Sequence, residues 1–154
     1  MRYLLAIAVL YVGLRLVKKG YDMTQGQDVW LAKTMWGEAR GEGARGMQAV
    51  GNVVMNRVNS GSWYGASVKD VVLKPYQFSS WNANDPNRSV IENMTAQQLA
   101  LNGALAIARQ VIAGTLPDIT GGATHYHAKN VNPAWASSME RTATIGNHIF
   151  YREV

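Results

Sequence analysis

Cysteine is absent from the 154 residues. That excludes disulfides and thiolate metal sites, and it says nothing about redox compartment. Charge is scarce at 16% of residues, against 47% aliphatic and aromatic residues, which excludes a disordered, highly charged chain. Internal repeats and low-complexity tracts are also missing. No Lys/Arg stripe interleaved with aromatics occurs, so the formal charge of +5 is not the footprint of a nucleic-acid binder. Such a charge still favours anionic polymers, bacterial cell walls among them. The length allows one core and leaves no room for a second of similar size.

Residues 1–20 stand apart. Arg2 precedes an apolar run from Tyr3 to Val17, broken by Gly13 and Arg15 and closed by Lys18 and Lys19. The run is apolar all round, so it is not an amphipathic surface helix. It falls short of the roughly 20 residues of a spanning helix, and no clear small-x-small cleavage site follows. Three readings stay open: an uncleaved export signal or weak anchor, a helix packed on a partner such as a virion protein, and burial in the core. Residues 21–27 read as a linker, and 28–154 as the folded domain.

Thr24 and Gln27 have capping-box spacing ahead of a helix expected to reach about Trp36. The segment Gly37 to Gly46 holds four glycines, which predicts a turn that ends this helix and opens the next. Met47, Val50, Val54 and Val58 repeat at helical spacing up to Gly61. Ser67–Leu73 reads as a short helix stopped by Pro75, and 76–89 as a loop. Thr95 and Gln98 form a second capping box, before a helix expected to run to Gly114. Ala123–Ala128 and Ala143–Tyr151 read as strands with a late hairpin. The fold class is α+β, helix-rich, with a small late β-sheet.

Glu38 lies where a helix meets the glycine-rich turn. The negative pole of the helix dipole disfavours its charged form, which suits a glycosidase acid. The plain alternative is a surface Glu paired with Arg40 or Arg45. Glu42, four residues on, would share a face with Glu38 only if the turn were helical; it belongs instead at the start of the next helix, where negative charge is favoured. His125 and His127 share one strand face and, with His148, could hold zinc; hydrogen-bonded histidines without metal are the simpler reading, and no cofactor is expected. Aromatics interleaved with amides, Trp81 with Asn82 for example, suit sugars and also ordinary half-buried loops.

Three blocks, in order, resemble the SleB/CwlJ cell-wall hydrolase family, which includes the spore cortex-lytic enzymes. The first is Trp36-Gly37-Glu38-Ala39-Arg40-Gly41-Glu42, followed by Gly46 to Val50 and Asn56-Arg57-Val58. The second is Val71-Val72, then Gln77-Phe78-Ser79 and Trp81-Asn82. The third is Ala123-Thr124-His125-Tyr126-His127-Ala128, then Pro133, Trp135, Ile145-Gly146-Asn147-His148 and Phe150-Tyr151. The resemblance implies a domain related to lysozyme-like lytic transglycosylases and resuscitation-promoting factors. It implies cleavage between N-acetylmuramic acid and N-acetylglucosamine in peptidoglycan glycan strands, with Glu38 as the catalytic residue.

One Glu suffices if it first protonates the glycosidic oxygen and then accepts a proton from the muramic acid 6-hydroxyl, a nucleophile already tethered. Gln77, Ser79, Tyr126 and Tyr151 are the first candidates for holding the sugars, with Glu42, Trp81, His125 and His127 beside them. Spore enzymes of this family carry a further peptidoglycan-binding domain, which these residues do not include. A phage lysis or virion enzyme, or a Gram-negative wall-remodelling protein, is expected, acting in the periplasm or cell envelope or carried in a virion. The alternatives are a catalytically idle wall-binding or virion structural module on the same fold, and a zinc hydrolase built on the histidines.

Overall fold

The computed structural model describes residues 26–154. Thr24 and the apolar run Tyr3–Val17 lie outside the described residues. The elements are α1 (Gln27–Ala39), a 3₁₀ turn (Arg40–Glu42), α2 (Gly43–Asn59), α3 (Val68–Leu73), a 3₁₀ turn (Ser79–Trp81), α4 (Pro86–Asn93), α5 (Ala96–Leu101), α6 (Ala104–Ala113), β1 (His125–Ala128), a 3₁₀ turn (Ala134–Ser138), β2 (Glu140–Ile145) and β3 (His148–Arg152). Among these, no helix is long and apolar enough to cross a membrane.

Helix α1 is the axis of the helical layer. Leu31, Ala32, Met35 and Ala39 recur along one stripe and are fully or almost fully buried. Helices α2, α3, α4 and α6 pack around them. Thr34, in the same stripe, is buried but satisfied: its hydroxyl donates to Trp30 O at 2.9 Å and accepts from Trp81 Nε1 at 2.9 Å. Helix α2 is buried on two sides. Met47, Val50 and Val54 join the helical core, while Ala49 and Val53 join Ala123, Ile145 and Phe150 under the sheet.

The sheet is antiparallel, in the order β1-β3-β2. Tyr126 pairs with Phe150 and His125 with Tyr151, so alternation sends Tyr126 and Phe150 to one face and His125 and Tyr151 to the other. The two-residue loop of the β2–β3 hairpin begins with Gly146 at φ 55°, a value that suits glycine.

Four expectations shift. Helix α1 runs three residues beyond Trp36, to Ala39, and carries Gly37 and Glu38 in its last turn. The N-cap of α1 is Gly26, and Gln27 Oε1 accepts from Val68 N at 2.8 Å and ties α1 to α3; the Thr24 half of the expected capping box lies outside the described residues. The 76–89 stretch is not all loop: Asp85 caps α4 and Pro86 opens it, a start signal. The helix after Thr95 is broken in two. The Thr95–Gln98 capping box holds, but Gly103 at φ 85° separates α5 from α6.

Candidate active site

Glu38 is the penultimate residue of α1, half-buried. Its Oε1 accepts from Ser80 N at 2.9 Å and from Ser80 Oγ at 2.8 Å. Its Oε2 accepts from Tyr126 OH at 3.0 Å. Ser79 Oγ stands farther off, at 3.4 and 3.5 Å from the two oxygens. Three segments distant in sequence therefore fix one carboxyl: the end of α1, the 3₁₀ turn after Phe78, and strand β1.

The absence of a side chain at residue 37 lets α1 and the 3₁₀ turn meet. Gly37 presses so closely on the 3₁₀ turn that a β-carbon there would stand 2.8 Å from Ser80 Cβ. Burial, and beside it the Glu38 carboxylate, push the Tyr126 phenol well above its usual range. Tyr126 therefore stays protonated and acts as a donor to Glu38 throughout the neutral range.

The surface-pair alternative for Glu38 does not hold. Arg40 turns away, its Nη2 donating to Asn87 Oδ1 at 2.8 Å and its guanidinium lying 4.2 Å from the Trp36 ring. The ion pairs among the described residues are Arg88–Glu92, Arg109–Asp28 and Arg152–Glu140, none of them at Glu38.

The other carboxylates are engaged elsewhere. Glu42 sits at the N-cap of α2, at the helix start as expected. Its Oε2 accepts from Asn147 N at 2.9 Å, which clamps the β2–β3 turn to the helix. Asp85 accepts from Asn87 N at 2.8 Å as a helix cap.

The remaining candidates fall into three places. Gln77 lies two residues before Ser79 and accepts from Arg57 Nη1 at 3.3 Å. The same guanidinium is buried, donates through Nε to Thr124 O at 2.7 Å, and so ties the Gln77 loop to the entry of β1. Trp81 is 7% exposed, packed at a tilt against Trp30 with ring centroids 5.4 Å apart, so its buried ring offers no face to a sugar. Tyr151, His125 and His127 lie on the strand face opposite Tyr126, where Trp135 packs on all three at 5.2 to 5.7 Å.

His127 Nδ1 faces Ala128 O at 2.7 Å and Nε2 faces Tyr151 OH at 3.0 Å. A carbonyl can only accept, so Nδ1 carries a proton, and in the neutral ring Nε2 accepts from the tyrosine. His148 pairs with Ala128 and packs edge-on to Tyr126 at 5.2 Å, on the Glu38 side. The three histidines therefore straddle the sheet and do not converge on one point, and no three-residue metal cluster occurs among the described residues.

Sequence reading missed Ser80, the residue that holds Glu38 most tightly, and His148 as a neighbour of Glu38. The pattern Phe78-Ser79-Ser80-Trp81 contains the signal, but nothing in it ranks the second serine over the first.

Residues 41–151 match the cell wall hydrolase family. That span begins after Glu38, so the role of Glu38 rests on its geometry and on the motif around it. The spore cortex-lytic enzyme of Halalkalibacterium halodurans is 32% identical over 124 residues, covering 78% of this chain and 33% of that protein. A spore cortex-lytic enzyme of Bacillus cereus is 30% identical over 135 residues, covering 87% of this chain and 46% of that protein. The chain thus spans from a third to just under half of the length of these relatives. The crystal structure of the catalytic domain of the Bacillus cereus SleB protein superposes with a TM-score of 0.68 at 27% identity, over 84% of this chain and 91% of that one. The catalytic domain of the germination-specific lytic transglycosylase SleB from Bacillus anthracis gives 0.63 at 28%, over 84% and 96%. Helix-rich layer and small sheet are common to these domains, and the chain belongs to the cell wall hydrolase family, with a domain of the SleB/CwlJ type.

Proposed function

We propose that this domain cleaves the glycan strands of peptidoglycan between N-acetylmuramic acid and N-acetylglucosamine, as a lytic transglycosylase with Glu38 as both acid and base. The observation that carries the reading is the cradle of Glu38. Both oxygens are held by donors on two segments remote from α1, the 3₁₀ turn and β1, while Glu42 and Asp85 are engaged by backbone amides elsewhere. A hydrolytic glycosidase uses a second carboxylate, as nucleophile or to activate water. A tethered 6-hydroxyl needs none, because its attack is intramolecular.

In the forward step protonated Glu38 gives its proton to the leaving glycosidic oxygen as the C1–O bond breaks. The carboxylate then takes the proton of the muramic acid 6-hydroxyl as its oxygen bonds to C1. Ser80 and Tyr126 keep the carboxyl oriented through both transfers. Action at the cell envelope, by a phage enzyme or a wall-remodelling protein, suits this chemistry.

Mass spectrometry of fragments released from purified sacculi tests the reading. The expected product ends in 1,6-anhydro-muramic acid. Reducing ends alone would mean hydrolysis and would return attention to Glu42 and Asp85. Glu38→Gln keeps the shape but cannot deliver a proton, so activity should fall by roughly 10²–10⁴ with the fold intact.

A further inference from the structure

Two aromatic side chains among the described residues are exposed without need of the core: Tyr76 at 87% and Trp63 at 53%. Tyr76 is also the one non-glycine residue there with positive φ, at 64°. That conformation crowds a bulky L-residue and is ordinarily left to glycine. Burial offers no compensation, since the ring stands in solvent. Strain held at an exposed aromatic side chain points to a ligand-binding purpose.

The position of Tyr76 gives the ligand. The turn Lys74–Gln77 is closed by Gln77 N donating to Lys74 O at 3.2 Å. Beyond it the same loop places Gln77 on Arg57, Phe78 in the core and Ser79 and Ser80 on Glu38. Tyr76 lies three positions before Ser79, so their α-carbons stand at most about 10 Å apart, within the length of one disaccharide. Trp63 borders the same loop. Lys74 Nζ donates to Trp63 O at 2.8 Å and lies 5.1 Å from its ring centroid. Trp63 packs at a tilt on Tyr64 with ring centroids 4.4 Å apart, and Tyr64 lies under the Arg57 guanidinium that holds Gln77.

We infer that Trp63 and Tyr76 form a second glycan-binding subsite, about one disaccharide from the cleaved bond, with Lys74 as the cation that meets a stem-peptide carboxylate. Flat aromatic faces take the C–H faces of sugar rings. A flexible ammonium suits a carboxylate whose position varies, and here it also stands over the indole that the sugar would share. The subsite anchors peptide-bearing strands and sets how long a strand must be for efficient cleavage. Peptidoglycan as its ligand rests on the reading of Glu38 above.

The test uses the full chain. Trp63→Ala and Tyr76→Gly are each expected to raise KM on long peptide-bearing strands about 5- to 30-fold, with kcat little moved. The penalty should shrink as the strands shorten to the smallest fragment cleaved. Tyr76→Gly removes the strained side chain, so it should melt no lower than the parent protein. Lys74→Gln should weaken binding to peptide-bearing strands by a larger factor than binding to strands stripped of peptide, where only its hold on Trp63 is lost. Equal penalties on long and short strands, or none on either, would overturn the subsite. A separate arm measures co-sedimentation with sacculi in the Glu38→Gln background. Weaker binding on adding Trp63→Ala supports the subsite even if the parent protein cleaves no glycan, an outcome that would sink the Glu38 reading alone. Unchanged co-sedimentation sinks the subsite and leaves Glu38 untouched.

Discussion

Gly37 and Ser80 touch across the site so closely that no side chain fits between them: a β-carbon on residue 37 would meet Ser80 Cβ at 2.8 Å and Oγ at 2.9 Å. A helix interior ordinarily gains about 0.5–1 kcal/mol when Gly becomes Ala. Here that gain opposes a clash with the residue that donates twice to Glu38. Gly37→Ala should therefore cost little in melting temperature and at least about tenfold in kcat, the scale of one hydrogen bond to a charged group. Adding Ser80→Gly removes both clashing atoms. It should recover stability without recovering activity, because the hydroxyl donor is gone. Thermal melts and sacculus clearance on the parent and the two variants check this.

Tyr126 offers a cleaner probe of orientation. Its hydroxyl donates to Glu38 Oε2 from a position where burial and the carboxylate keep it protonated. Tyr126→Phe keeps the ring against His148 and Phe150 and removes only the donor. A fall in kcat of about 10- to 100-fold with KM nearly constant is expected. An equal rise in KM would mean that the hydroxyl holds sugar rather than Glu38.

The sequence singled out Glu38 and, as a candidate for holding sugar, Tyr126, which the structure sets on Glu38 itself; the reason both stand out is local. Glu38 stands at the junction of a helical period and a glycine-rich turn, and Tyr126 lies in a short strand pattern between two histidines. Ser80 was not legible because adjacent serines are equivalent until the 3₁₀ turn Ser79–Trp81 buries one and exposes the other. Trp81 misled for the same reason: in a polar stretch it reads as surface, yet Thr34, a mid-helix polar residue, gives its indole N–H a buried partner. The break at Gly103 was hidden by apolar residues on both sides of it, Leu99 and Leu105, which reach one core from two separate helices.

Glu42 and Gly146 should prove energetically coupled. The Glu42 carboxylate occupies the space where a Gly146 β-carbon would project, while accepting from the next amide, Asn147 N. Gly146→Ala thus carries two penalties, backbone strain at positive φ and overlap with Glu42. Glu42→Ala removes the second, so the double variant should be more stable than the sum of the single losses predicts, by about 0.5–3 kcal/mol. Denaturant melts of the four proteins measure this coupling. Glu42→Gln should keep most activity, since an amide oxygen still accepts from Asn147.

The histidines set the mild-acid limb of stability. Burial lowers the pKa of His148, with His127 adding to the fall, while Glu42 and Glu38 pull it up. Burial lowers that of His125 as well, with Arg57 adding and Glu153 opposing. Each is therefore harder to protonate folded than unfolded. Below about pH 6.5, the usual histidine value, the unfolded chain takes up protons first. The stability these groups contribute is complete above that pH and is lost as pH falls toward their folded values. Melting temperature should drop by a few degrees from pH 7 to pH 5. His148→Gln and His125→Gln should each flatten that slope, and the double variant should flatten it most. A slope unchanged in the double variant would assign the limb to other groups. Asp118 is not among them, because it acts at lower pH: burial raises its pKa, but hydrogen bonds from Thr120, Asn56 and Gly122 outweigh that and lower it, so its share is complete above the ordinary aspartate value and is lost as pH falls through and below it.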